Sequence, residues 1–244
     1  MAPDYSIVIP AYNEAEFLPR TLARLRAAMA GAGGLAGEVV VVDNASTDCT
    51  AQLAKDAGAR AVFEPHRQIA RARNAGAAAA HGRYLIFLDA DTCVTPALLK
   101  RTLQALESGR FCGGGTVVAF DERLAPGARA MTRLWSLLSK LCRWAAGSYV
   151  FCRRDAFLAV GGFDERFYAS EEVHFSRALH RWGRRRGLPV IILDEPAVTS
   201  CRKVRWFSFG QMARYMLRLA LKPSLLRSRQ GCRPWYVRPE GPRA

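Results

Sequence analysis

Apolar residues in this chain come in short bursts, each closed by polar residues or glycine, and two periods alternate. Ser6–Pro10 (SIVIP) reads as a buried strand, after which Leu18, Leu22, Leu25 and Met29 recur at helical spacing. Asn13, followed three residues later by Glu16, predicts a capping box at the start of that helix, and the Gly-rich stretch Gly31–Gly37 ends it. Glu38–Val42 is the next strand. Asn44–Thr50 is a polar turn into a second helix that closes near Gly58, and Arg60–Phe63 is a short strand. A third helix, rich in Ala and Arg, spans Ile69–His81 with Gly82 as its stop signal. Tyr84–Leu88 is almost purely apolar, as a strand covered on both faces requires.

Thr95–Pro96 pairs an N-cap with proline at the first helical position, and the helix reaches about Ser108. Phe111–Phe120 holds the triple glycine Gly113–Gly115 and a strand-like TVVAF. An amphipathic helix over 127–146, a strand Tyr149–Cys152, helices Asp155–Val160 and Glu171–Trp182 and a strand Pro189–Leu193 follow. Strand–helix alternation predicts an α/β protein with a doubly wound parallel sheet in its first half and a mixed second half. Beyond about Ser200 the composition changes. Trp206–Leu221 is predicted helical, with Met212, Met216 and Leu219 on one face and Arg214, Arg218 and Lys222 on another. The tail from Pro223 is basic and broken by Pro234, Pro239 and Pro242, so little regular structure is expected there.

Length and composition suit one large domain plus an extension. No apolar run approaches a membrane span. The start, MAPDYSIVIPAYNE, lacks a basic n-region and a small-residue cleavage site, so no secretory signal is expected. Seven scattered cysteines without a Cys-x-x-Cys pair predict reduced thiols in a cytosolic protein, with no disulfide or structural zinc. The net charge is +15, with the basic excess late in the chain, which favours an anionic partner: nucleic acid, anionic lipid headgroups or phosphorylated small molecules.

Three predicted strands end in polar residues: Pro10-Ala-Tyr12-Asn13-Glu14, Asp43-Asn44-Ala-Ser46-Thr47-Asp48 and Asp89-Ala90-Asp91. Carboxyl ends of parallel strands form the ligand-binding rim of open α/β sheets. In extended backbone Asp89 and Asp91 point to one side. Two like charges there suit a divalent cation such as Mg²⁺ or Mn²⁺. No Gly-x-Gly-x-x-Gly or Walker loop is present. Asp43, Asp48, Asp89, Asp91, Glu171 and Glu172 make the predicted cleft acidic, so nucleic acid is an unlikely partner. Plainer readings stand beside these. Glu171 and Glu172 suit a helix N-terminus capped by Ser170, Asp43 suits a cap, Arg71 and Arg73 a solvated face, and Gly113–Gly115 either close approach to a ligand or a turn.

Four segments carry a resemblance: SIVIPAYNEA (Ser6–Ala15), VVVVDNASTDCT (Val39–Thr50), ARARNAGAAAAHGRYLIFLDADT (Ala70–Thr92) and GGFDERFYASEEVHFSRALHRWG (Gly161–Gly183). In this order the chain resembles a family 2 glycosyltransferase of the GT-A type over about residues 5–195. The resemblance implies a Rossmann-like doubly wound mixed sheet flanked by helices over residues 1–200, with a nucleotide-binding half to about 110 and an acceptor-side half after it. Residues 201–244 would be a basic amphipathic helix and tail. It implies a nucleotide-sugar donor, a divalent metal and transfer with inversion. Pro10, Tyr12 and Glu14 would border the nucleoside, and Asp43 would bind the base. Arg73, with Arg71 as runner-up, would lie near the base or diphosphate. Asp91 would contact the metal, and Asp89 the ribose or a metal-bound water. Glu172, or its neighbour Glu171, would be the catalytic base; the pair is Glu-Glu where the family usually has Glu-Asp or Asp-Asp. Gln211–Tyr215 is similar to the Gln-x-x-Arg-Trp motif of polymerising members and is taken as coincidence within a helix.

The acceptor is open, a lipid-linked one included. The basic helix and tail are expected to suit an anionic membrane surface, for a cytoplasmic protein peripheral to the membrane. The rival expectation is a nucleotide-sugar-binding protein without transferase activity.

Overall fold

The computed structural model describes residues 2–202, 206 and 209–236. Its elements, in chain order, are β1 (Tyr5–Ala11), α1 (Leu18–Ala32), β2 (Gly37–Asp43), α2 (Thr50–Asp56), β3 (Arg60–Phe63), α3 (Ile69–Ala79), β4 (Tyr84–Leu88), β5 (Thr92–Cys93) and α4 (Pro96–Glu107). There follow β6 (Gly113–Phe120), α5 (Pro126–Cys142), β7 (Tyr149–Arg153), α6 (Arg154–Val160), α7 (Glu171–Arg184), β8 (Val190–Thr199) and α8 (Phe209–Leu221). The strands form one mixed sheet in the order β3-β2-β1-β4-β7-β6-β8-β5. β3, β2, β1 and β4 are parallel, whereas β7 is antiparallel to β4 and β6.

Period-two alternation divides the core between the two faces of this sheet. Ile7, Ile9, Ile86 and Leu88 pack under α1 and α4 with Leu18, Leu22, Leu25, Leu98 and Leu103. Val8, Val42, Leu85 and Phe87 face the other way, toward Ala72, Phe163 and Phe175. This is the doubly wound sheet with a mixed second half that the alternation of strands and helices predicts. The small residues of α3 let it lie close on the sheet: a Cβ on Gly76 would run into the Val8 side chain. That approach carries Arg73, one turn earlier, into the rim of the sheet.

Several local expectations give way to tertiary contacts. Asn13 is not an N-cap: α1 starts after Phe17 with no side-chain cap. Gly113–Gly115 is neither a turn nor a ligand approach but the start of β6. A Cβ on Gly114 would meet the carbonyl of Ile191 on β8. β8 runs on to Thr199 instead of stopping at Leu193, because a bulge opposite Thr116–Val118 absorbs Pro196, which has no N–H to pair. The extension brings Ser200 to Asp91, whose carbonyl accepts from the Ser200 N–H at 3.2 Å. Thr95 does cap α4, accepting from the Leu98 N–H. The tail is more ordered than expected. A 3-10 turn (Pro223–Arg227) and a short helix (Arg233–Tyr236) bury Cys232 and Tyr236 beside Ala169. Met212 and Met216 lie outside the described side chains, and Pro239 and Pro242 outside the described residues.

Candidate functional site

The ends of β1, β2 and β4 meet at one rim, and side chains stitch their loops together. Asn13 adopts a left-handed conformation (φ 51°). Its amide oxygen accepts from the Thr47 N–H at 2.8 Å, and its own N–H donates to Ser46 Oγ at 3.0 Å. The Glu14 N–H donates to Thr50 Oγ1 and the Ala15 N–H to Asp48 Oδ2. Asp43 accepts from the Ser46 N–H at 3.0 Å, a turn-forming bond. Asn44 donates to the carbonyls of Glu64 and His66, which sets the position of Arg67.

A pocket opens above this rim. It is lined on one side by Pro10, Tyr12, Glu14, Asp89 and Asp91. On the other side stand Arg67, Arg202, Trp206, Trp235 and Tyr236. The Arg67 guanidinium lies 3.4 Å from the Tyr12 ring centroid and donates to the Tyr236 carbonyl at 2.7 Å. Arg202 makes a two-pronged pair with Glu14, at 2.9 and 3.0 Å, and reaches Asp91 Oδ2 at 3.1 Å. Phe17 and Trp206 flank its guanidinium. Burial opposes charge on Arg202, but Glu14 and Asp91 outweigh it and hold the group cationic.

A second arginine sits deeper. Arg73 is fully buried and donates to Glu171 Oε1 at 2.6 Å, Asp89 Oδ1 at 3.1 Å and the Gly147 carbonyl at 2.7 Å. It thereby ties the end of β4 to the start of α7. Burial opposes its charge; Glu171, Asp89 and Glu172 overcome that and keep it cationic. Its partner Glu171 is committed to this pair. Glu172 packs against Gly147, whose added Cβ would lie 3.3 Å from the Glu172 carboxyl carbon. Burial, then repulsion from Glu171, pushes the Glu172 carboxyl well above the usual carboxylate range, and Arg73 only partly offsets this. Ser170, ahead of α7, is left-handed (φ 61°) and caps nothing with its side chain; Glu171 and Glu172 themselves occupy the first turn, where the helix dipole favours negative charge.

Thus Pro10, Tyr12, Glu14, Asp89 and Asp91 come together in the pocket. Arg73, Glu171 and Glu172 form a cluster behind it, joined through Asp89. Asp43 is buried in its turn and does not line the pocket. Arg71 does not reach it either: it points outward on α3 and pairs with Glu165 at 3.2 Å. Sequence reasoning missed Arg67, Arg202, Trp235 and Tyr236. The pair Trp235–Tyr236 inside an otherwise Arg- and Pro-rich tail was the signal available.

The chemistry of the site suits a hard divalent cation only in part. Asp89 and Asp91 bring carboxylate oxygens to one pocket. Yet both are paired with arginine, and among the described residues no group of three His, Cys, Asp or Glu side chains gathers to hold a metal. All seven cysteines are free, and among the described residues no helix is long and apolar enough to cross a membrane.

Comparison with known proteins agrees with this geometry. The family model described as "Glycosyl transferase family 2" matches residues 6–163. A pre-mycofactocin glycosyltransferase of Mycobacterium tuberculosis is 31% identical over 222 residues, 82% of this chain and 44% of that protein. An undecaprenyl-phosphate mannosyltransferase of Micrococcus luteus is 32% identical over 152 residues, 58% of this chain and 56% of that protein. The chain therefore spans about half the length of these curated relatives. Among solved structures, the mannosyltransferase PcManGT from Pyrobaculum calidifontis, in complex with GDP-Man and Mn²⁺, superposes with a TM-score of 0.68. The two are 20% identical, and the match covers 96% of this chain and 65% of that one.

Proposed function

Because the chain belongs to glycosyl transferase family 2, we propose that it moves one sugar per cycle from a nucleotide-diphosphate sugar to an acceptor hydroxyl or phosphate, with inversion at the anomeric carbon. The observation that carries this reading is the convergence of three strand ends on one pocket bearing Tyr12, Glu14, Asp89 and Asp91. Tyr12 and Pro10 offer an aromatic and apolar edge to a nucleoside. A divalent cation on Asp91, with Asp89 beside it, would neutralise the charge that develops on the departing diphosphate. Glu172 is the base that takes the acceptor proton, since Glu171 is held by Arg73. The undecaprenyl-phosphate mannosyltransferase among the relatives makes lipid-linked acceptors the first class to try.

Calorimetric titration with UDP, GDP, TDP and CDP, with and without Mn²⁺, tests the donor side. One nucleotide should bind with metal present and lose at least about tenfold in affinity in Asp91→Ala, since one tenfold step is 1.4 kcal/mol, less than a charge-assisted contact contributes. If no nucleotide binds under any condition, the transferase reading fails. If the donor binds but no sugar moves to any acceptor, the protein is a binding module instead.

Arg202 adds a second expectation. Its guanidinium holds Asp91, so a cation must compete with it. Arg202→Gln removes the competitor and should tighten Mn²⁺ binding to the nucleotide-free protein by about tenfold, the scale of one charge-assisted pair. The Mn²⁺ paramagnetic resonance signal reads this directly. An unchanged or weaker affinity would mean that Asp91 is not where the metal binds.

A further inference from the structure

α5 is built inside out. In most surface helices the apolar stripe faces the core. Here the positions turned inward are Ala128, Thr132, Trp135, Ser136 and Ser139, mostly small or hydroxylic. The positions turned outward are Met131, Leu134, Leu137, Leu138 and Leu141. Leu134 is 56% exposed, Leu137 54% and Leu141 71%. At 3.6 residues per turn these five side chains fall within an arc of about 120°. They make up half of the large exposed hydrophobic residues among the described ones. The hydroxyls of the inward face are satisfied by the helix itself and by the turn that ends it. Thr132 and Ser136 bond back along the helix, and Ser139 Oγ donates to the Trp144 carbonyl.

Charge says what covers the apolar face. The helix sequence, PGARAMTRLWSLLSKLC, contains no acidic residue. Arg129, Arg133 and Lys140 border the apolar arc on one side, and exposed Arg143 follows at the helix end. Two acids lie nearby: Asp194, paired with Lys140, and Glu122, which lines the same groove as Arg129 and Arg133 together with Arg123, so the border stays net basic. A second copy docked antiparallel across the stripe by a two-fold axis would set these arginines against their own images. An apolar stripe edged by arginine matches a surface that is apolar inside and anionic at its boundary.

We propose that α5 seats the protein in the interface of an anionic lipid membrane. The helix leads directly to the site: the chain leaves it at Arg143 in a left-handed turn, the Ala145 N–H donates to Ser176 Oγ on α7, and Gly147 is held by Arg73. Glu172 packs on the same Gly147. Seated this way, the protein meets its acceptor from the membrane side; that consequence rests on the transferase reading, whereas the seating does not.

Co-sedimentation of the full chain with vesicles tests the seating without donor, metal or acceptor. Binding is expected to vesicles containing phosphatidylglycerol and to be much weaker to phosphatidylcholine alone. The triple variant Leu134→Gln, Leu138→Gln, Leu141→Gln should lose at least about tenfold in partitioning while its circular dichroism melt is unchanged, because the three positions are exposed. Arg129→Gln with Arg133→Gln should weaken binding several-fold and flatten its salt dependence. The proposal is overturned if the wild type ignores anionic vesicles, or if the triple variant binds them as well as the wild type does. It is also overturned if sedimentation velocity shows a dimer that the triple variant abolishes while neither form binds vesicles. Failure of vesicle binding leaves the nucleotide titrations untouched, so the two readings fall separately.

Discussion

Arg73→Met should cost about 3–5 kcal/mol of folding stability, the scale for removing one partner from a buried ion pair. The guanidinium is fully buried and is shared by Glu171, Asp89 and the Gly147 carbonyl. A thioether of similar volume fills the space but satisfies none of them. Two carboxylates then stand in a low-dielectric site with no cation between them, and one must take up a proton or draw in water. Arg73→Lys should recover only part of the loss. An ammonium is a point charge without the planar fork that reaches three acceptors at once. Denaturant unfolding of the three proteins measures this. A loss below about 1 kcal/mol for Arg73→Met would show the cluster to be loosely held, because that is the range of exposed pairs.

Glu172→Gln should lower kcat by roughly 10²–10⁴-fold, the usual worth of a general base, while nucleotide binding stays as in the wild type. Glu172 does not line the pocket proposed for the donor, so removing its charge should leave nucleotide contacts there in place. The raised pKa of its carboxyl sets two pH trends. Activity should climb as pH rises through that pKa, since the base works only when ionised. Stability should run the opposite way. The folded state keeps the proton to a higher pH than the unfolded chain, so this group's contribution is full below the ordinary glutamate pKa. It is lost as pH rises through the folded value. Glu172→Gln should flatten that fall. A variant with wild-type kcat would move the base to Glu171 or outside the pair.

The sheet and the donor side of the site were legible because they are written in local patterns. The apolar runs of β3 and β4 are bounded by charge and glycine as the structure bounds them. Asp89 and Asp91 follow from a buried strand that must end at its ligand-binding rim. Asn13 was misread because a capping box and a loop-to-loop clamp use the same residue types; only contact with Thr47, 34 residues away, distinguishes them. β8 was cut short at Leu193, ahead of Pro196, because a bulge cannot be seen in one strand alone. Arg71 and Arg73 share a helix and a residue type, yet their two-residue offset sends one to Glu165 outside and the other to Glu171 inside. The outer wall of the pocket left only the aromatic pair Trp235–Tyr236 as a trace, in a segment too short to show a period.

That wall has a consequence for how the protein is assembled. Arg67 is joined to Tyr236 across 169 residues, and Glu14 to Arg202 across 188. Contacts so distant in sequence carry the largest loop-closure cost in the fold, and nothing local repays it in advance. β3, β2, β1 and β4 can assemble from the first third of the chain and still lack the closed pocket. On the function proposed above, a nucleotide should therefore distinguish the finished molecule from a partly assembled one, and by mass action should protect only the finished one from unfolding.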